Sequence, residues 1–548
     1  MGKIKSILRL KSVLKAYRMI IAAGTAGILL SSLLSAPIPY VIGYSIDKVL
    51  MGSKSYREFY LYIGVIALLY LLQYIISLIS KNLFVRINNS VVNEMRYKVM
   101  EKIINLPMSY LSVTEKGYVQ GRLAECNSIG SLFSPSIISL FLGLLNAFLA
   151  ILSMFLINLK LTVIALVLTP IFFFVSKAST KGFMKNTKDM MESNAILSGE
   201  CFEILNGIED IKVLNGKEKH LSKFKKKIDE LVKFSMKQSR SMIMLLENIV
   251  ILNEAGSLLI LLISGILILK GQFTVGLYTS FSLYIAKVFG STQGLATLGT
   301  TLKPVFLSIE RIFELLDRED ENYGRELMLE GRVDELEFRH VGFRYKEELA
   351  DVFKDVNFSL QRGGKVLLQG DNGSGKTTLI KLLLGLYQPT SGQILLNGGD
   401  ASGINCDSIR RHFGIVSQSI FLFRGTVLDN ILYGQREKGR RDVEGLIRSL
   451  GLENYIGRLP KGLDTDISQN TSGISGGQAQ IIAFIRAMLS GKDVIILDEP
   501  VSNVDAETRN VIINILKDGT FHGILIVISH QTEGLDFFTR VIDITETA

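Results

Sequence analysis

At 548 residues the chain exceeds one ordinary domain, and a mean hydropathy of +0.31 with 48% hydrophobic residues is high for a soluble protein of that size. The formal charge of +9 gathers beside apolar runs, which points to membrane orientation rather than to nucleic acid. Three scattered cysteines, Cys126, Cys201 and Cys406, form no pair motif and read as reduced structural thiols, not a disulfide framework.

The chain opens on Lys3, Lys5, Arg9, Lys11, Lys15 and Arg18 among apolar residues. This reads as a basic amphipathic helix on the inner membrane surface. It fits better than a signal-peptide n-region, because the apolar stretch Met19–Ile46 is too long for an h-region and lacks a convincing cleavage site. No charge occurs in Met19–Ile46, Phe59–Ser80 or Cys126–Leu159, and each run exceeds the roughly 20 residues needed to cross hydrocarbon. Leu161–Ser176 is shorter, but the lysines beside it can snorkel. Two further spans fall at about 248–270 and 273–300, giving six. Pro37 and Pro39 should kink the first span. The N-terminus, 81–125 and 177–240 hold 6, 7 and 14 Lys/Arg, whereas the opposite loops hold five: Lys48, Lys54, Arg57, Lys160 and Lys270. Positive residues stay inside, so both termini are expected in the cytosol of a multi-pass plasma-membrane protein. The two inside loops carry apolar positions at helical spacing and read as extended spans. Short crosswise segments near Ser109–Lys116 and Gly207–Gly216 join each pair. The charged stretch Asp317–Asp334 reads as a linker.

A soluble domain follows. Val366–Gln369 is an apolar strand, and Gly370-Asp371-Asn372-Gly373-Ser374-Gly375-Lys376-Thr377-Thr378 comes directly after it. This is G-x-x-x-x-G-K-[ST], the phosphate-binding loop, followed by an apolar helix. The glycines let backbone N–H groups close on phosphate oxygens at a helix N-terminus. Lys376 should reach the β- and γ-phosphates, and the Thr377 hydroxyl should bind Mg²⁺. Val494–Leu497 is a strand ending in Asp498 and Glu499. The first carboxylate can hold Mg²⁺ through water and the second can polarise the attacking water. Ile474-Ser475-Gly476-Gly477-Gln478 opens another apolar helix and is a second anion-binding turn. One chain thus carries two phosphate-recognising elements, more than a simple NTPase needs. His530 at a strand end can touch a γ-phosphate, and Gln418 at another can sense Mg²⁺ or water. Tyr345 can stack on adenine. Taken singly, each of these three is equally an ordinary core or solvated residue.

In this order and spacing the motifs resemble the ATP-binding cassette, and the whole chain resembles a half-size ABC exporter of the six-span, type IV fold. The resemblance implies a membrane all-α six-helix domain over 1–316, a linker over 317–334 and an α/β P-loop NTPase domain over 335–548. It matches the A-loop to Tyr345, Walker A to Gly370–Thr378, the Q-loop to Gln418 and the signature to Ile474–Gln478. Walker B is matched to Val494–Asp498 with Glu499 beside it, the D-loop to Ser502-Asn503-Val504-Asp505, and the switch histidine to His530. Leu106–Tyr110 and Gly271–Gly276 resemble exporter phrases in the membrane part. The chain departs from the pattern at Ile474, where Leu is usual, at Ala479 and Ile481, where basic residues are common, and across Thr465–Asn470. It also ends soon after His530, without the usual C-terminal helical extension.

The resemblance implies ATP and Mg²⁺ as cofactors and a homodimer in which Walker A of one copy faces the signature of the other. It implies ATP-driven export of a peptide, drug or lipid-like substrate across the bilayer, with no nucleic-acid partner. With spans beginning near residue 19, no N-terminal peptidase domain is expected, and a processing-and-export protein is disfavoured. An ATP-gated channel or regulator and a lipid flippase are the alternatives. Ionisable residues inside spans are candidates for substrate contact. Glu254 and Lys287 lie at similar depth, roughly 24 and 20 Å below the outer ends of the fifth and sixth spans, so a Glu254–Lys287 pair is expected. Glu254 with Glu247 one heptad earlier would give the cavity a cation preference.

Overall fold

The computed structural model describes residues 9–11, 13–114, 116–371, 373–467, 474–501, 504–517, 521–529 and 537–544, with backbone alone for several residues of 168–180 and 292–304. The chain divides into two compact units: Met1–Glu101 with Gly117–Asp317, and Lys102–Lys116 with Arg318–Ala548.

The first unit is helical. In chain order come α1 Arg18–Ser35, α2 Ile38–Ser45, a π-helical stretch Ile46–Ser53 and α3 Tyr56–Asn105. The short α4, Met108–Leu111, belongs to the second unit. Then come α5 Lys116–Gly130, α6 Pro135–Ile157, α7 Leu159–Asn206, the short α8 Ile208–Val213, α9 Lys217–Leu269 and α10 Val275–Leu316. Polar caps start the apolar helices. Ser134 accepts from Ile137 N ahead of Pro135, Asn158 accepts from Leu161 N, and Thr274 accepts from Leu277 N. The 50 residues of α3 extend about 75 Å at 1.5 Å each, more than twice the hydrocarbon thickness. Among the described residues, four helical stretches are long and apolar enough to cross a membrane: Lys15–Ser53, Tyr56–Asn105, Gly117–Ile157 and Lys217–Leu269. The other two expected spans lie within α7 and α10, where part of the side chains is outside the described residues. Of the two segments read as crosswise, Gly207–Gly216 holds α8, and Ser109–Lys116 holds all of α4 but its first residue, Met108.

The first span breaks at Ala36 and Pro37, between α1 and α2, and the last helix repairs the break. Pro39 has no N–H, so the Ser35 carbonyl lacks its ordinary helical partner. Lys287 Nζ on α10 donates to that carbonyl at 2.7 Å and to Ser35 Oγ at 2.8 Å. Tyr284 OH donates to Ala36 O at 2.6 Å, and Ser280 Oγ to Pro39 O at 2.9 Å. Further along the chain, Gly43 meets Gly276 and brings the two backbones together; a methyl on Gly43 would lie 2.2 Å from Gly276 O. Asp47 closes the seam by accepting from Gly276 N at 2.8 Å and from the Thr274 hydroxyl.

Among the described residues the second unit has two large sheets and a two-stranded pair, Gly425–Thr426 with Asp466–Ile467. Its labelled elements are β1 Glu335–Phe343, β2 Phe353–Gln361, β3 Lys365–Gln369, α11 Lys376–Leu383, β4 Ser391–Leu396, β5 Gly399–Asp400 and β6 Phe413–Val416. After them come α12 Gly476–Leu489, β7 Val494–Asp498, α13 Ala506–Lys517, β8 Ile524–Ile528 and β9 Arg540–Asp543. One sheet is parallel with order β9-β3-β8-β7-β6, and the other is antiparallel with order β2-β1-β4-β5. β7 and β8 are buried throughout, as their continuous apolar runs require in a sheet covered on both faces. Side chains alternate between the faces. Leu367, Ile495 and Leu497 join one core; Val366, Leu368, Ile496 and Ile526 join the other. The stretch read as a linker lies along this unit. Glu321 holds Arg410 through two bonds of 2.8 and 2.9 Å, Asn322 accepts from Cys406 N, and Leu327 exchanges backbone bonds with Gly403 and Asn405.

Candidate functional site

β3 delivers the chain into the phosphate-binding loop at the carboxyl edge of the parallel sheet, where such sheets form their ligand crevices. Gly373 and Gly375 adopt φ of 90° and 93°, a region that costs other residues strain. Gly375 also has no room for a side chain, since a methyl would lie 2.6 Å from Val352 Cγ1 and 2.9 Å from Phe353 Cδ1. The loop then enters α11 at Lys376, whose side chain is buried. Its Nζ folds back onto the loop, donating to Gly370 O at 2.6 Å and Asp371 O at 2.8 Å. Burial holds this ammonium below the ordinary lysine pKa, and Glu499, Asp498, Asp371 and Asp543 only partly oppose it.

Thr377 and Asp498 come together although 121 residues separate them. The Thr377 hydroxyl donates to Asp498 Oδ2 at 3.3 Å. Asp498 ends β7 and is buried. Glu499 follows it with φ 51°, an uncommon conformation for this residue type. Two bonds hold the turn: Glu499 N donates to Ile528 O at 2.9 Å, and Gln480 Nε2 donates to Glu499 O at 3.2 Å. Gln418 follows β6 two residues beyond its end. With Tyr345, Val352, Gly373, Gly375, Lys376, Thr377, Thr378, Asp498 and Glu499 it lines a cleft of about 290 Å³. An oxygen set of one hydroxyl and one carboxylate, with a neighbouring side-chain amide, fits a hard cation such as Mg²⁺. Among the described residues no three His, Cys, Asp or Glu side chains converge on one point. The remaining ligands of such a cation would therefore be water and phosphate.

Tyr345 is 38% exposed and stands edge-on to Phe343 and Tyr387, with centroids 4.9 and 5.2 Å away. Its hydroxyl lies 2.9 Å from Thr378 Oγ1, and Lys381 Nζ is 5.8 Å from its ring centre. Tyr387, Lys381 and Gln480 carry no motif of their own. An aromatic so soon after the loop helix was the only signal for Tyr387.

Ser475 caps α12. Its hydroxyl accepts from Gln478 N at 3.2 Å while Gln478 Oε1 accepts from Ser475 N at 2.9 Å, a reciprocal capping box. Gly476 and Gly477 leave the first helical N–H groups uncovered by side chains. This turn lines a second cavity of about 210 Å³ with Tyr455, Arg458, Asp505 and Thr508 among others. The two cavities share no lining residue. Asp505 caps α13 by accepting from Thr508 N at 2.8 Å, a bond that lowers its pKa. Ile481, at a position where the resemblance led one to expect a basic residue, is in the core. His530, Asn372, Ser502, Asn503 and the end of the Thr465–Asn470 segment lie outside the described residues.

In the membrane part the expected Glu254–Lys287 pair does not form. Lys287 is committed to Ser35 because proline chemistry leaves that carbonyl open, and no ion pair joins it to Glu254 among the described residues. Glu247 and Glu254 are both exposed on α9.

Comparison with known proteins follows the same division. Residues 21–292 match the ABC transporter transmembrane region, and residues 353–502 match the ABC transporter family. The chain is 28% identical over 476 residues to the transport/processing ATP-binding protein ComA of Streptococcus pneumoniae R6, covering 85% of this chain and 65% of that protein. It therefore spans about two thirds of the length of that relative. It is 27% identical over 542 residues to the ABC transporter ATP-binding protein YknV of Bacillus subtilis, covering 97% of this chain and 89% of YknV. To the ATP-dependent lipid A-core flippase of Albidiferax ferrireducens it is 26% identical over 508 residues, 91% of this chain and 87% of that one. A transmembrane region and an ATP-binding domain joined in one polypeptide place this chain in the ABC transporter family.

Proposed function

We propose that the chain uses ATP hydrolysis to export a peptide, drug or lipid-like substrate across the membrane, working as a homodimer. One observation carries the two-copy reading: the loop holding Lys376 and the turn capped by Ser475 line separate cavities of one chain. A second copy would complete each half-site, with Ser475, Gly476 and Gly477 presenting N–H groups to the triphosphate held by its neighbour. Lys376 would exchange its two carbonyl acceptors for phosphate oxygens. Glu499 would orient the attacking water, its backbone held at the cleft by the bond from Gln480 and the bond it donates to Ile528 O. Mg²⁺, held by Thr377, Asp498 and Gln418, would supply positive charge to the transferred phosphoryl group. Tyr345 offers its ring to the base, and His530 follows β8 in sequence as a candidate γ-phosphate contact. ATP draws two cassettes together and hydrolysis releases them, which alternately opens the spans inward and outward.

The relatives include a transport/processing protein and a lipid A-core flippase, so flipping of a lipid is the second reading. An ATP-gated channel is disfavoured by Glu499, which serves turnover. The test is ATPase activity of the full chain in vesicles. Vanadate-sensitive hydrolysis lost in Glu499→Gln, with ATP binding kept, supports a pump; hydrolysis that survives the substitution refutes the assigned role.

A further inference from the structure

The cytosolic extension of the second span carries a feature that the nucleotide chemistry does not use. Asn88, Asn89 and Asn93 lie inside α3, although asparagine is among the weaker helix formers. Asn89, Asn93 and Arg96 recur at i, i+4 and i+7 and so share one helix face. Opposite them on α5 stands Asn127, which accepts from the Arg96 guanidinium at 2.8 Å. With Asn88 and Val92 these residues line a groove of about 380 Å³. Close packing builds it: a methyl on Gly130 would fall 2.1 Å from Asn88 Oδ1 and 2.3 Å from Val92 Cγ2.

A solvated helix face ordinarily carries Lys and Glu, as α9 does. Here four carboxamides and one guanidinium stand together, against local propensity, which is the pattern of a functional site. A carboxamide offers both a donor and an acceptor, the complement of a peptide bond. The guanidinium fork matches a carboxylate. An apolar ligand would cover the Asn88, Asn89 and Asn93 carboxamides without offering them hydrogen bonds. The groove residues begin eight positions beyond Ser80, the end of the second uncharged run, so they lie roughly 12–24 Å past it, on the side that the charge bias assigns to the cytosol. An exporter loads from that side.

We propose that this groove is a loading site for an extended peptide segment, with its backbone amides on Asn88, Asn89, Asn93 and Asn127 and a carboxylate on Arg96. The proposal rests on the export reading above and narrows its substrate. The test uses full-length protein in vesicles and stimulation of ATPase by random-sequence nonapeptides, as free acids or C-terminally amidated. The wild type should respond to the acids at about tenfold lower concentration than to the amides. Arg96→Gln should raise the half-stimulating concentration of the acids to that of the amides, and Arg96→Lys, which keeps the charge, should restore part of the difference. Asn93→Leu should weaken the response to both. Equal wild-type responses to acid and amide, or an equal shift of both in Arg96→Gln, overturn the site. Stimulation by lipids or dyes but never by peptides overturns the peptide assignment while leaving export intact. Absence of wild-type ATPase activity instead overturns the export reading itself.

Discussion

Lys376 shows how a single side chain links burial to ligand binding. Its ammonium is buried against two neutral carbonyls, and burial lowers its pKa below 10.5. The unfolded chain therefore binds more protons in the window just under 10.5, and without nucleotide this group makes folding more favourable as pH rises through that window. A triphosphate would restore the charged form, so ATP binding should take up protons there. Titration calorimetry in buffers of different ionisation enthalpy measures this; no proton uptake would mean that Lys376 does not meet the phosphates. Lys376→Ala should weaken ATP binding about 100-fold. Glu499→Gln should lower turnover at least about 100-fold with binding retained. Gly375→Ala should destabilise the second unit by about 1–3 kcal/mol, because φ is positive and Val352 and Phe353 stand within 3 Å of the new methyl; a shift in its denaturation midpoint checks it. The loop, Asp498 and Glu499 were readable in the sequence because phosphate chemistry demands those residue types at that spacing. Gln480 and Tyr387 were not, since their roles depend on which strand end or helix turn they meet.

At the scale of elements, the seam between the first and last spans rests on three donors of α10, a glycine contact and Asp47. Pro37 and Pro39 announced a kink in the sequence, and α1 does end there. The partners of the opened carbonyls lie about 250 residues away and depend on helix packing, which no local pattern reports. That is why Lys287 was matched to Glu254 by depth alone, whereas it bonds to Ser35. Lys287→Met should cost about 1–2 kcal/mol by leaving the Ser35 carbonyl without its donor. Gly43→Val should cost more, because Gly276 O and Ser280 Oγ would both lie within about 2.2 Å of the new Cβ. Thermal unfolding in detergent ranks the two; an unchanged midpoint for Gly43→Val would mean that the seam does not hold the spans together.

For the whole molecule, the membrane part was legible because uncharged runs are long-range statistics that need no packing detail. The pairing of copies was implied by resemblance alone, and the proposal takes the two separate cavities of one chain as its two half-sites. The most direct test is a disulfide between copies. Ser374→Cys and Ile474→Cys would be combined with Glu499→Gln in a chain whose Cys126, Cys201 and Cys406 are replaced by alanine. Nucleotide clamped between two copies predicts an oxidised species of twice the chain's mass that forms with MgATP and not without it. A chain that saturates with ATP yet never cross-links to a second copy would contradict the shared site.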